Sequence, residues 1–273
     1  MRALLLCGLC LAFGCGDPSD PDALTDETAA PQSWSAGDRV GLVSVDRLTR
    51  DPLLGEPMCA IQLFLGEATG DGVSSGIEQE GACFIGASTV LGPGSGFEPF
   101  DGGTVDLTVG GSVETVTVDA SSSGSSLPFV CSELESARSV GVTSLADESP
   151  TDGLGAFTED IPLQAAPTFE SPTELRAGVA VWEPGDLEVA WNGGLGDSVE
   201  VLLVGRDGTG PVVRCFADDD GRFVVPARLV DTYRDAPATL EVTRVGLEVI
   251  SVDGVEVRLV SRSATQLWLE LPE

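Results

Sequence analysis

The sequence predicts an all-β protein: an antiparallel β-sandwich, Ig-like or jelly-roll-like, built as one or two β units with few short helices. Three observations carry this prediction. Short runs of alternating apolar and polar residues recur from residue 37 onward. Asp-Gly and Asn-Gly pairs punctuate them, at Asp71-Gly72, Asp101-Gly102, Asp152-Gly153, Asn192-Gly193, Asp207-Gly208, Asp220-Gly221 and Asp253-Gly254. Such pairs suit turns that need positive φ. Runs with a helical period are few and short, and many short strands with frequent turns argue for a sandwich or barrel.

The first strand is read at Arg39 to Val45 and the second at Met58 to Leu65. Thr104 to Val109 and Val113 to Val118 alternate cleanly, placing apolar side chains on one face. Further strands fall at Leu187 to Trp191, Val199 to Val204, Val212 to Phe216 and Arg222 to Val225. Three more close the chain: Leu240 to Val245, Val255 to Val260 and Gln266 to Leu271. Two short helices are expected, at Ser132 to Arg138 and at Pro226 to Tyr233, the latter with Pro at its first position. The segment Gly103 to Gly111 resembles Gly185 to Gly193, and each precedes another alternating run. That pair reads either as one hairpin used twice or as a chance likeness of two Gly-bounded strands. Ser121 to Ser126 is a Ser/Gly run, and 146–172 is rich in Pro, Asp, Glu and Thr. The body, 37–273, is therefore expected either to divide internally near 121–172 or to carry a long surface excursion there.

Composition excludes more than it assigns. The chain has 273 residues, with 44 Asp and Glu against 14 Lys and Arg, no His, and a formal charge of −30. All the basic residues are Arg. Without His or Lys there is no Ser-His-Asp or Cys-His catalysis, no His-ligated zinc or haem, no Schiff base and no P-loop lysine. The negative field opposes binding to nucleic acid and to an anionic lipid surface, because both are driven by Lys and Arg. At 42% hydrophobic residues the chain can still bury a core.

Seven cysteines are present. Cys7, Cys10 and Cys15 lie in or beside an N-terminal apolar segment. Cys59, Cys83, Cys131 and Cys215 are spread through the body and form no CxxC. In an exported chain these four read as two disulfides. Of the three pairings, Cys59–Cys83 with Cys131–Cys215 is the expected one. The first would close a local loop of about 25 residues, contributing roughly 3 kcal/mol. The second would tie the segment before 146–172 to the C-terminal sheet.

Met1-Arg2 gives a short positive start, and the apolar run from Ala3 to Gly14 is too short to span a bilayer. It ends Leu11-Ala12-Phe13-Gly14-Cys15, followed by the acidic, Pro-rich stretch Gly16-Asp17-Pro18-Ser19-Asp20-Pro21-Asp22. Gly14-Cys15 resembles the lipobox of bacterial lipoproteins, with Ala12 tolerable and Phe13 atypical for that pattern. The resemblance implies a signal peptide at 1–14, cleavage before Cys15, lipid on the Cys15 thiol, and a disordered tether at 15–36. Ordinary secretion is the alternative, since Ala12-Phe13-Gly14 also fits a small-x-small cleavage site.

The remaining motifs carry no chemistry of their own. Gly72-Val73-Ser74-Ser75-Gly76 matches G-x-S-x-G, but a nucleophile elbow needs a histidine base. Gly92-Pro93-Gly94-Ser95-Gly96 lacks the frame of a phosphate loop. Asp218-Asp219-Asp220-Gly221 is the densest acidic cluster and the candidate for calcium, although it lacks EF-hand spacing and also reads as a solvated hairpin turn. A carboxylate pair could run glycoside hydrolysis, but no pair is marked out, and only 5% of residues are aromatic.

The whole plan resembles acidic, Gly-rich bacterial envelope lipoproteins with Ig-like or jelly-roll-like bodies. The strand–turn–strand unit from Val213 to Ala227 is similar to one found in such proteins. No activity is carried over from that resemblance. The expected role is a non-catalytic structural or binding protein, lipid-anchored at the outer membrane on its periplasmic face or at the cell surface, with no cofactor and with a protein or glycan partner that the sequence does not identify. The alternatives are a calcium- or carbohydrate-binding module and a carboxylate-dependent hydrolase.

Overall fold

The computed structural model describes residues 35–49, 57–69, 78–80, 82–86, 97–118, 125–127, 131–145, 154–176, 179–194, 196, 198–205, 211–234 and 237–270. The expected signal segment, Cys15, nearly all of the expected tether, the G-x-S-x-G match and the Gly92 to Gly96 run lie outside these residues.

One long hairpin organises the molecule. Strand β18 (Ala238–Val252) and strand β19 (Val255–Glu270) pair without a break from Val252↔Val255 to Ala238↔Leu269. Asp253 and Gly254 turn the chain between them, with φ of 50° and 80°. At about 3.4 Å per residue the hairpin runs about 50 Å. The two C-terminal strands expected at Val255 to Val260 and Gln266 to Leu271 are thus one strand. The polar stretch Ser261-Arg262-Ser263 interrupts the apolar pattern but holds no Gly or Pro to break the backbone.

A sheet of twelve strands grows from both sides of this hairpin. β1 (Arg39–Thr49) runs parallel to β19 from Val40↔Glu256 to Thr49↔Thr265. β2 (Met58–Ala68) lies antiparallel to β1 and carries β5 (Phe97–Pro99) and β8 (Ser125–Leu127). β13 (Val179–Val181) is parallel to the far end of β19 and pairs β12 (Glu174–Arg176). Beyond β18 come β15 (Ser198–Gly205), β16 (Val212–Ala217), β4 (Cys83–Gly86) and β3 (Glu78–Glu80). The strands pair antiparallel except for the two that lie along β19.

Two smaller sheets cover the two halves of one face. β6 (Gly103–Val109), β7 (Ser112–Val118), β9 (Ser139–Leu145) and β10 (Phe157–Pro162) form a four-stranded sheet in the order β10-β9-β6-β7. Its Val105, Leu107, Val140 and Val142 pack on Val43, Val45, Ile61, Leu63, Val257 and Leu259. β11 (Phe169–Ser171), β14 (Leu187–Trp191) and β17 (Arg222–Val225) form a three-stranded sheet. Its Val189 and Trp191 pack on Val201, Leu203, Val213, Leu240, Val242 and Leu267. The protein is therefore two β-sandwiches that share one sheet. The short helix α1 (Cys131–Ser136) inserts Leu134 into the first core. The helix α2 (Ala227–Val230) and the 3-10 turn Asp231–Tyr233 add Leu229, Val230 and Tyr233 to the second.

The chain order interleaves the halves. Between β2 and β5, both in the first half, the chain crosses to the second and forms β3 and β4 against β16. β10, inside the segment 146–172, belongs to the first sandwich, and β11 belongs to the second. The internal likeness of Gly103 to Gly111 and Gly185 to Gly193 is not a repeated hairpin. β6 pairs the strand that follows it, whereas β14 pairs β17 and the following β15 joins the other sheet.

The expected disulfide pairing is corrected. Cys59 bonds to Cys131, with Cα atoms 5.3 Å apart, and Cys83 bonds to Cys215, with Cα atoms 4.0 Å apart. Cys83 and Cys215 face each other across the β4–β16 pair. A local Cys59–Cys83 bond does not form because the intervening chain carries Cys83 to the other sandwich. Strand neighbourhood, not sequence distance, decided the partners. The bonds span 72 and 132 residues, for which chain entropy gives roughly 4–5 kcal/mol each.

Candidate functional site

At the waist between the two cores the covered face of the long hairpin turns polar. Arg244 stands opposite Ser263, and Val242 opposite Thr265. The connection from β10 to β11 runs across this waist. The Thr265 hydroxyl donates to the Pro167 carbonyl at 2.6 Å, Ser263 to Gln164 at 2.8 Å, and Arg244 Nη1 to Ala165 at 2.9 Å. Arg47 reaches the same strap, donating to the Gln164 carbonyl and, at 2.7 Å, to the Ser263 hydroxyl. A strap of irregular backbone thus has its carbonyls satisfied by side chains of three strands, as a covered loop requires.

Asp219 closes this clamp. Arg244 Nε donates to its carboxylate at 2.7 Å, Trp191 Nε1 at 2.8 Å and the Gly196 N–H at 3.0 Å. The side chains of Asp219 and Arg244 are 2% and 4% exposed. Burial pushes the Asp219 carboxyl up, but the hydrogen bonds from Arg244, Trp191 and Gly196 and the Arg244 charge outweigh it and hold the pKa below its ordinary value. Gly194 is required here by close approach. A Cβ on it would lie 2.3 Å from Asp219 Oδ2 and 2.4 Å from Arg244 Nε.

The acidic triplet is accordingly not one solvated unit. Asp218 and Asp220 are exposed, and Asp220 caps its own turn by accepting from the Arg222 N–H at 3.2 Å. Asp219 turns inward as a neutralised structural anion, so the three carboxylates diverge. No group of three or more potential ligands that could hold a metal occurs among the described residues.

A second set of charges lies on the opposite face of the large sheet. Glu200, fully buried, lies between Arg214 at 2.6 Å and Arg262 at 2.7 Å. Arg262 also approaches Asp46 at 3.9 Å. Burial would lower the Arg262 pKa, but Glu200, Asp46 and Glu241 together raise it. Burial raises the Asp46 carboxyl above its ordinary value, against the lowering effects of Arg262 and of the Ser44 hydroxyl bond. Next to these, Glu241 accepts from Thr243 at 2.9 Å and Gln266 at 2.6 Å. Apolar side chains flank the row: Phe84 and Phe216 edge to face on one side, and Phe64 with Phe97 on the other. The row thus sets Glu200, Asp46 and Glu241 beside Arg214 and Arg262, with Glu200 held by both arginines and Glu241 held by neutral donors.

Sequence reasoning singled out none of Glu200, Arg214, Arg244 or Arg262. Glu200 and Arg214 are each the one charge of an otherwise apolar strand, in a chain with only 14 cations, whereas Arg244 and Arg262 share their long strands with other charges. Cys59, Cys83, Cys131 and Cys215 are all in disulfides, which fit a chain folded in an oxidising compartment.

No family model matches the chain. No curated protein matches it. Among solved structures it is similar to a two-domain fibronectin type-III segment of chicken tenascin, at 12% identity and a TM-score of 0.22, over 74% of this chain and 90% of that one. It is similar to a 1.5-MDa bacterial ice-binding adhesin described for host cell surface retention, at 14% identity and a TM-score of 0.23, over 85% of this chain and 66% of that one. It is also similar to a Ca2+-stabilised adhesin that helps an Antarctic bacterium reach out and bind ice, at 16% identity and a TM-score of 0.22, over 85% of this chain and 50% of that one. At scores this low, neither fold detail nor function passes from those proteins to this one.

Proposed function

We propose that this chain is an exported, non-catalytic envelope protein, tethered through a lipid on Cys15, whose fused sandwiches serve a structural or binding role outside the cytoplasm. The observation that carries this reading is the pair of disulfides between distant segments. They suit an oxidising compartment and would not persist in a reducing cytosol. The lipobox-like Gly14-Cys15 and the acidic stretch after it supply the anchor and its spacer. The described buried charges support a scaffold, since Asp219 is matched by Arg244 and Glu200 by two arginines. Calcium at the Asp218 to Asp220 cluster is disfavoured, because a cation would have to displace Arg244 from Asp219.

The test is fractionation of cells that make the full chain. The parent protein is expected in the membrane fraction with incorporated labelled fatty acid. Cys15→Ser is expected in the soluble exported fraction, unlabelled. Equal membrane association of both chains defeats the anchor.

A further inference from the structure

Sheet edges present unpaired backbone groups, and stable proteins keep them short, bulged, charged or broken by Pro. Most edges described here follow that rule. β3, β5, β8, β11 and β12 have three residues each, and β17 has four. The pairings of β11 and β12 are also irregular. β10 has six residues but carries Glu159 and Asp160 side by side and ends in Pro162.

Two edges depart from that rule among the described residues: the far half of β18, residues 246–252, beyond its last pair with β15, and β7. β7 has seven residues, Ser112-Val113-Glu114-Thr115-Val116-Thr117-Val118, pairs β6 in unbroken register, and has no strand on its other side. The tight turn before it uses Gly110 and Gly111 at φ of 57° and 97°, a pair of left-handed positions that closes Val109 on Ser112. From that closure the backbone groups of Ser112, Glu114, Val116 and Val118 bond to β6. Those of Val113, Thr115 and Thr117 point to the open edge. These three residues are exposed, and Val113 is 57% exposed.

We propose that the open edge of β7 is a docking site at which an extended segment of a partner protein, carrying Arg or Lys, adds as a fifth strand to the four-stranded sheet. Backbone groups of Val113, Thr115 and Thr117 supply the ladder, as in β-strand addition. Charge selects the occupant. Glu114 is the sole charge on the strand, while Asp106, bonded to Thr115 at 2.6 Å, lies one strand in on the other face of the sheet. A residue of the added strand opposite Glu114 stands with its Cβ about 4.5–5.5 Å away, where opposite charges attract and like charges repel. A second copy of this chain, at −30, or its own acidic N-terminal stretch is repelled at the same position. The inference does not depend on lipidation, so failure of the anchor and failure of this site are separate results.

The test uses the full chain in detergent and a labelled synthetic peptide, Thr-Val-Thr-Val-Arg-Val-Thr. Saturable binding is expected. The Glu counterpart of that peptide should bind roughly fivefold to tenfold more weakly. A backbone N-methylated version should not bind. Val113→Pro and Thr117→Pro each remove one outward N–H and no bond to β6, so both should lose binding while the melting temperature is kept. Glu114→Arg should reverse the peptide preference. The proposal is overturned if the Arg peptide does not bind, or if binding survives N-methylation and both prolines. It is also overturned if the peptide-free chain already protects the amides of Val113, Thr115 and Thr117 from exchange through self-association or its own N-terminus.

Discussion

The Asp219 carboxylate and the Arg244 guanidinium meet at 2.7 Å in the waist between two hydrophobic cores, and each is almost wholly removed from water. Asp219 lies in the turn from β16 of the large sheet to β17 of the three-stranded sheet, and Arg244 lies on the long hairpin, so the pair ties that turn to the hairpin. Breaking a buried pair leaves one charge without a partner and costs roughly 3–5 kcal/mol. Asp219→Asn and Arg244→Met should each destabilise by about that much in denaturant titrations. The double variant should cost clearly less than the sum. Additive losses would show that the two side chains act independently.

The disulfides predict a specific peptide map. Non-reducing digestion should yield Cys59 linked to Cys131 and Cys83 linked to Cys215. Replacing both members of either pair by Ser should cost roughly 2–5 kcal/mol of stability. Recovery of a Cys59–Cys83 peptide from the native protein contradicts the strand order.

Acid should first stabilise and then destabilise. The carboxyl of Asp46 is raised by burial, despite Arg262 and Ser44. The native state then binds this proton more readily than the unfolded chain. That contribution is gained as pH falls through the raised value and is complete below ~4. Relief of repulsion in a chain at −30 adds to it. Asp219 has the opposite sign. Its lowered pKa gives stability above ~4 that is lost as pH falls through the folded value. Melting temperature should therefore rise from pH 7 to about 5, with part of the rise reproduced by salt at pH 7, and decline below about 4. A monotonic fall from pH 7 downward contradicts this assignment.

Tyr233 is the sole tyrosine, so its titration is read without overlap from others. Burial pushes its pKa up to about 12, against weaker lowering by hydrogen bonds. Its hydroxyl lies 2.8 Å from the Leu203 carbonyl and 2.5 Å from that of Pro211. The stability linked to this group is complete below the unfolded pKa of about 10 and is lost as pH rises toward 12, at about 1.4 kcal/mol per unit. Phenolate absorbance should stay low until the protein unfolds in alkali. Ionisation with a midpoint near 10 in a still-folded chain would place Tyr233 at the surface.

Much of the local structure was legible. The strands at Leu187–Trp191 and Arg222–Val225 have the limits that alternation predicted. Both short helices formed close to their expected positions. β4, β10 and the three-residue strands were not read, because such short or polar runs form only when a neighbour supplies the ladder, and β9 was missed although Val140, Val142 and Ser144 alternate in it. The candidate site was less legible than the fold. Asp219 was noticed only as one of three acids, and its separation from Asp218 and Asp220 depends on Trp191 and Arg244, distant in sequence. Arg244 broke the apolar alternation of its strand and Glu200 stood at a polar position of its own, and neither revealed what it would meet.

The sequence by itself determined the all-β class, most of the longer strands, the even set of body cysteines and the exclusion of His- and Lys-based chemistry. These follow from composition and from periodicity within a few residues. Only the tertiary structure decided that the last two apolar runs are one strand, that one hairpin serves two cores, and that Cys83 meets Cys215. The physical reason is that pairing, register and burial depend on which strands become neighbours. Here the chain crosses from the first sandwich to the second and back before either is complete, so contacts between distant segments, rather than local pattern, select the partners.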